Sequence, residues 1–405
     1  MEYRTYDLSN INNININSLL DISNDDNKIN LNNIGLTYKS WIKNNKIYNI
    51  FKYDRSKLSI DMINNIGIWR SVVYSNNQIN VFSPPKSENI NIFSNKYIET
   101  DCIAQEFVEG TMINLFYDKD INNWEISSKS SVGGNVTFFQ DQPTFSELFN
   151  DICSELNIDL TKFSKDYSYS LIIQHPKNKF VIPVKEKKLY LISMYKIDNI
   201  NFKVTEFLSC CKNNLDNPIM KLDNDILTKL SFPEIYKFDS YYKLYNEYAS
   251  MNTDIYTMGI VLYHKSGDRS KLRNPNYEYV KHLRGNNTKL QYQYLSLRKL
   301  NSVKECLKYF PENREQFNVF RSQLHLFTNS LYKNYINCYI HKEKPLKEFS
   351  PQFKTHMYNL HQLYLSMRED KGYINKYIVI NYVNDLEPAK LMYTLNYYLH
   401  KISYN

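Results

Sequence analysis

Glu106-Phe-Val-Glu-Gly-Thr-Met-Ile-Asn-Leu-Phe-Tyr117 sets an acid and a glycine, Glu109 and Gly110, at the mouth of an apolar run. The run reads as a buried strand, because its residues are β-branched, aromatic or aliphatic and a glycine punctuates its start. That order places a carboxylate and open backbone at the edge of a cleft. Acid–glycine–strand is commonplace alone, so its neighbours decide the reading. Further β-rich runs are Ser71-Val-Val-Tyr74, Trp124-Glu-Ile126 and Ser170-Leu-Ile-Ile173. From about Gly67 to Leu262 the pattern is mostly β, broken by helical segments near Phe145–Leu156 and Ile226–Leu230. An α+β region with a large sheet is expected.

Beyond about Asn286 the period changes. Phe317, Phe320, Leu324, Phe327, Leu331, Tyr335 and Cys338 recur every three or four residues, the mark of a helix burying one face. Similar stretches run through Met357, Leu360, Leu363, Tyr364 and Met367, and from Ala389 to Leu399. Pro311, Pro345 and Pro351 punctuate them. Residues 1–50 are Asn-rich and polar and read as a loosely ordered leader. The expected organisation is therefore a leader over 1–50, a β-rich domain over 51–285 and an all-α domain over 286–405.

Composition bounds the function. At 405 residues with 42% hydrophobic content and only 9 glycines, the chain is globular rather than disordered. The 36 Tyr and 21 Phe accompany an excess of Asn, Ile and Lys, all AT-rich in codon, so aromatic richness says little about base stacking. No stretch approaches the roughly 20 apolar residues of a membrane span, and the N-terminus lacks a signal-peptide layout. Six scattered cysteines without a CxxC pair argue against a zinc site and for a reduced, cytoplasmic thiol set. The net charge of +8 is unevenly placed. From Asp268 to Lys299 eight Lys/Arg face two acids, a net +6, and such a concentration points to a polyanion partner.

Several segments join the opening stretch in a fixed order: Trp69-Arg70-Ser71-Val72-Val73, Ser83-Pro-Pro-Lys86, Ser128-Lys129-Ser130, Gln174-His-Pro-Lys-Asn-Lys-Phe-Val181, Met258-Gly-Ile-Val261, and Lys271-Leu-Arg273 followed by Tyr277. This series resembles the adenylylating domain of the T4-type RNA ligase 1 family, within the covalent nucleotidyltransferases that include DNA ligases and mRNA capping enzymes. The similarity covers roughly residues 50–285. The whole chain also resembles an RNA-ligase-like family of large eukaryotic DNA viruses. The resemblance implies a nucleotidyltransferase domain with an ATP-grasp-like antiparallel sheet. It also implies a phosphate-facing set of Arg70, Lys86, Lys129, Lys271 and Arg273.

The departures carry the functional expectation. The family's first motif is Lys-x-Asp/Glu-Gly, and here Phe107 stands where the nucleophilic lysine belongs. The acids of two later motifs are replaced by Ile172 and Met258. Forming a lysyl–nucleotide needs an amine and a divalent metal to offset phosphate charge. No apolar side chain supplies either. Lys96, in Lys96-Tyr-Ile-Glu99, is a substitute amine but lacks the glycine.

Losing acids while keeping bases leaves a pocket for a phosphorylated nucleotide without catalysis. The expected role is therefore to hold an RNA end, a 5′ cap or terminal nucleotide of mRNA, with no catalytic residue, metal or cofactor. The nucleotide- and RNA-binding set is Arg70, Lys86, Phe107, Glu109, Lys129, Lys271, Arg273, Tyr277, Lys281 and Arg284. Phe107 either stacks on a base or fills the space of the lost lysine stem. His175 reads as a hydrogen-bonded structural histidine. The alternatives are an ATP-dependent RNA ligase with a displaced nucleophile and a structural subunit of a viral RNA-processing or translation assembly. In the latter the C-terminal helices would dock a protein partner. The expected location is the cytoplasm, or a viral factory.

Overall fold

A computed structural model describes residues 3–11, 14–16, 20–22, 24–138, 142–211, 216–369 and 371–402. It divides into two compact units, residues 1–279 and 280–405. The first is α+β with antiparallel sheets and the second is helical, the expected fold class.

In the first unit a six-stranded sheet runs in the order Arg4–Asp7, Lys203–Leu208, Lys188–Asp198, Tyr167–Gln174, Thr111–Asp118, Asn123–Ser127, antiparallel throughout. The run quoted first thus becomes the strand next to one edge of the sheet, with Ile113, Leu115 and Phe116 buried. Helix Phe145–Glu155 covers one face. Thr144 and Glu147 close a reciprocal capping box at its start. Phe145, Leu148, Phe149 and Ile152 form its apolar stripe, packed against Ile113, Tyr169 and Leu171. Four such side chains, at about 1.5–3 kcal/mol each, hold the helix on the sheet.

A four-stranded sheet, Ile235–Tyr236, Cys102–Glu106, Gly259–His264 and Arg269–Arg273, carries the second half of the motif series. Another is a meander of Leu36–Lys43, Lys46–Tyr53, Val72–Ser75 and Gln78–Val81.

The meander corrects the expectation of a loose leader. Arg4–Asp7 pairs with Lys203–Leu208, and two long strands fill residues 36–53. Two of the Asn residues make the turn: Asn44 and Asn45 have φ of 50° and 60° between those strands, while Asn27, Asn30, Asn32 and Asn33 lie in the helix Asp25–Asn33. A two-residue hairpin loop needs positive φ at both positions, and Asn tolerates it. Residues 1, 2, 12, 13, 17–19 and 23 of the leader lie outside the described residues.

The second unit contains helices Leu290–Lys299, Val303–Tyr309, Arg314–Tyr335, Pro351–Met367, Lys376–Asp385 and Pro388–Leu395. Phe317, Leu324, Phe327, Leu331 and Tyr335 are buried along one helix, as their spacing predicts. Phe327 stacks on Phe353 with centroids 5.3 Å apart. His356 lies beneath, within 2.9 Å of the Tyr382 hydroxyl, and burial pushes its pKa down to about 4. Most of this stripe packs into the unit's own core, while Val319 and Leu326 of the same helix are exposed.

Candidate nucleotide site

Strand Arg269–Arg273 alternates, so Arg269, Lys271 and Arg273 share one face while Leu272 turns into the core with Phe93 and Ile260. Across the pairing with Gly259–His264, the same face carries Val261 and Tyr263. Phe107 joins it from the end of Cys102–Glu106, its backbone N–H donating to Gly259 O at 3.1 Å. Three cations therefore stand on an apolar shelf. The Lys271 ammonium lies 4.1 Å from the Phe107 ring centroid and the Arg273 guanidinium 5.5 Å from it.

Other segments bring more positive charge to the same place. Trp69, fully buried, anchors the chain just before Val72–Ser75 and leaves Arg70 facing the cluster, where it donates to Pro84 O at 3.3 Å. Burial, with Arg269 and Arg273 close by, pushes the Arg70 guanidinium down to about 10. Burial first, then Arg269, Arg70, Arg273 and Lys86, hold the Lys271 amine well below the usual lysine value. Lys86 is lowered by burial and by Arg273, Arg70 and Arg269. Exposed Lys129 sits in a tight turn closed by Ser128 N–H to Ser131 O at 2.8 Å. It is lowered by burial and by Arg70, Lys52 and Arg55.

These groups repel one another, and little in the chain neutralises them. Arg273 pairs with Glu278 at 2.7 Å. Among the described residues, Arg70, Lys86, Lys129 and Lys271 have no carboxylate at ion-pair distance. Arg269 is buried, donates to Pro85 O, and its Nε has no acceptor among the described residues. Like charges gathered without acids are costly unless an anion from outside satisfies them.

Glu109 and Tyr277 are placed elsewhere. The Glu109 carboxylate is buried and accepts from the backbone N–H groups of Val181 and Ile182 at 3.2 and 3.1 Å. Burial pushes its pKa up, and the Tyr277 hydroxyl, also buried, bonds to it. The pair ties the 180–182 segment to the sheet and is internally satisfied, unlike the cation cluster. Gly110 has a φ of 151°, and a Cβ there would come within 2.4 Å of Ile173 O. The glycine of the opening motif is thus required by the close approach of the neighbouring strand.

Ile172 is buried against Val108 and Ile192, and Met258 is half-buried. His175 donates from Nε2 to Asp151 at 2.7 Å and accepts from the Lys177 N–H at 3.0 Å, a structural arrangement. Lys96 is bound to Asp268 at 3.0 Å, and its pKa is raised, so it stays an ammonium. Among the described residues no group of three His, Cys, Asp or Glu is placed to hold a metal.

Lys281 and Arg284 fall in the second unit, where the Arg284 guanidinium lies 5.5 Å from the Phe310 ring centroid. The basic stretch 268–299 is therefore divided between the two units. Lys52, Arg55 and Arg269 belong with the cluster and were missed. Period-2 alternation with Lys271 and Arg273 was the available signal for Arg269. Lys52 ends the strand Lys46–Tyr53, which the expected leader boundary at residue 50 cut in two, and Arg55 follows it.

No protein-family model matches the chain, and no curated relative matches it. Among solved structures it is similar to a Naegleria gruberi RNA ligase with ATP and Mn, at 13% identity over 48% of this chain and 57% of that one, with a TM-score of 0.35. It is also similar to an archaeal ATP-dependent RNA ligase, at 12% identity over 72% of this chain and 74% of that one, with a TM-score of 0.40. The chain spans little more than half of the Naegleria structure. At that level of superposition the likeness decides nothing about activity, which must be read from the residues themselves.

Proposed function

We propose that the chain is a non-catalytic RNA-end-binding protein on a degenerate RNA-ligase-like, capping-enzyme-like fold, holding a 5′ cap or terminal nucleotide of mRNA. The observation that carries this reading is the cluster of Arg70, Lys86, Arg269 and Lys271, none of which has a carboxylate at ion-pair distance among the described residues. Phosphate oxygens are the ligands such donors fit, and bidentate guanidinium contacts would orient them. Phe107 supports the reading as the shelf under Lys271 rather than as a reactive group. Its face is already covered by the ammonium, so it acts through lysine placement and not as an open stacking platform.

A second reading is an ATP-dependent RNA ligase with a displaced nucleophile. Lys271 favours it, since an amine held below its usual pKa above the lost lysine's position is what an activated nucleophile requires. Incubation with α-labelled ATP and magnesium, followed by denaturing electrophoresis, separates the two. The binding reading expects no covalent label alongside retention of capped or 5′-phosphorylated RNA at low salt. A labelled band lost in Lys271→Met overturns it.

A further inference from the structure

In the second unit a groove of about 330 Å³ is lined by Tyr294, Arg298, Lys304, Leu307, Phe317 and Arg321. Its construction repeats on two helices. Tyr294 and Arg298 are four residues apart on Leu290–Lys299, and Phe317 and Arg321 are four apart on Arg314–Tyr335. Each helix thus sets an aromatic ring on the floor and a cation one turn along the same side. The two rings meet with centroids 5.2 Å apart. Both rings are largely buried and offer the groove little surface, so half-buried Leu307 supplies much of the apolar floor, and Lys304 adds a third cation.

No carboxylate lines this groove. Arg298 is half-buried and fixed by a hydrogen bond to Asn384 Oδ1 at 2.5 Å. Lys304 and Arg321 are exposed, with no carboxylate at ion-pair distance among the described residues. Asn301 and Asn318 also reach the lining, and each brings an amide that both donates and accepts. The volume lies at the small end of the roughly 300–1,000 Å³ range of ligand sites, room for one unit of a polymer.

We infer that this groove takes one nucleotide of single-stranded RNA, its base against the Tyr294–Leu307–Phe317 floor and its flanking phosphates on Arg298, Lys304 and Arg321. An all-acidic peptide would use the cations, and its backbone the amides, but would leave the apolar floor unmatched. A nucleotide uses all three, which is how single strands are held. The choice of RNA among polyanions rests on the proposed function of the first unit, whereas the groove's geometry does not.

The test uses the full chain and a 5′-hydroxyl, uncapped oligonucleotide, so that no end phosphate is offered and the two sites read out separately. Lys304 and Arg321 are exposed and leave the fold alone when replaced. Binding by the Lys304→Ala/Arg321→Ala double variant is expected to weaken roughly tenfold at moderate salt, with the slope of log affinity against log salt falling by about 1.4. Crosslinking with 4-thiouridine oligonucleotide is expected to mark peptides from 294–321. Unchanged affinity and slope, or crosslinks confined to the first unit, would overturn the inference. So would a polyglutamate that binds the wild type as tightly as the oligonucleotide. Failure of end-phosphate recognition with groove binding intact would instead remove the proposed function alone.

Discussion

Two lysines of the first unit are treated in opposite ways. Lys46 is buried, and its ammonium meets Asp118 at 2.7 Å and Asp120 at 2.6 Å, with the Tyr48 hydroxyl also on Asp118 at 2.7 Å. Lys271 is partly buried among four other cations and has only the face of Phe107. Where a charge serves the fold, the chain supplies its counter-charge. Where the counter-charge is withheld, the proposed function reads the donors as left for an anion from outside. The difference marks the site more sharply than any single residue does.

Four substitutions test that contrast, from the largest effect to the smallest. Asp118→Ala leaves the buried Lys46 ammonium with Asp120 alone and the Tyr48 hydroxyl without its acceptor, and is expected to cost about 3 kcal/mol in urea unfolding, with RNA binding per folded molecule unchanged. Glu109→Ala removes the acceptor for two backbone N–H groups and Tyr277, costing about 1.5–3 kcal/mol in the same assay. A stability loss with normal binding would confirm that Glu109 is a tie rather than a ligand. Lys271→Met runs the other way. It relieves repulsion and is expected to stabilise the free protein by about 1 kcal/mol while weakening 5′-phosphorylated RNA about tenfold.

The pH dependence carries the same sign. Lys271 has a folded pKa below its ordinary 10.5, so the unfolded chain binds the extra proton and stability rises as pH climbs toward that value. In Lys271→Met the rise is expected to be shallower than in wild type. Lys129→Ala is the smallest change. The side chain is exposed and unpaired with any carboxylate among the described residues, so stability should move by less than about 0.5 kcal/mol. The salt slope for RNA binding should fall by about 0.7.

Periodicity was the reliable guide to the fold. The 111–118 strand, the 145–155 helix and the long 314–335 helix each announce themselves through side chains at spacings of two or of three and four. Asparagine misled. At positions 44, 45, 76 and 77 it serves hairpin loops with positive φ, so part of the abundance that reads as a loose leader marks tight turns between strands.

For the cation cluster, Arg70, Lys86, Lys129, Lys271 and Arg273 could be picked out from the order of the segments, and the structure brings their charges close to one another. Arg269 was open to the same reading through its alternation with Lys271 and Arg273, whereas Lys52 and Arg55 were not, since their membership depends on which segments lie side by side. Glu109 and Tyr277 were legible as a pair of polar residues but not as partners. Only burial and the amides of 181 and 182 reveal that they satisfy each other.

The most direct measurement is equilibrium binding of one RNA sequence carrying either a 5′-phosphate or a 5′-hydroxyl, to wild type and Lys271→Met, across a salt series. The end phosphate should add affinity to the wild type, with a steeper salt slope, and add nothing to the variant. Equal affinity for the two ends in the wild type would mean the cation cluster does not hold a terminal phosphate.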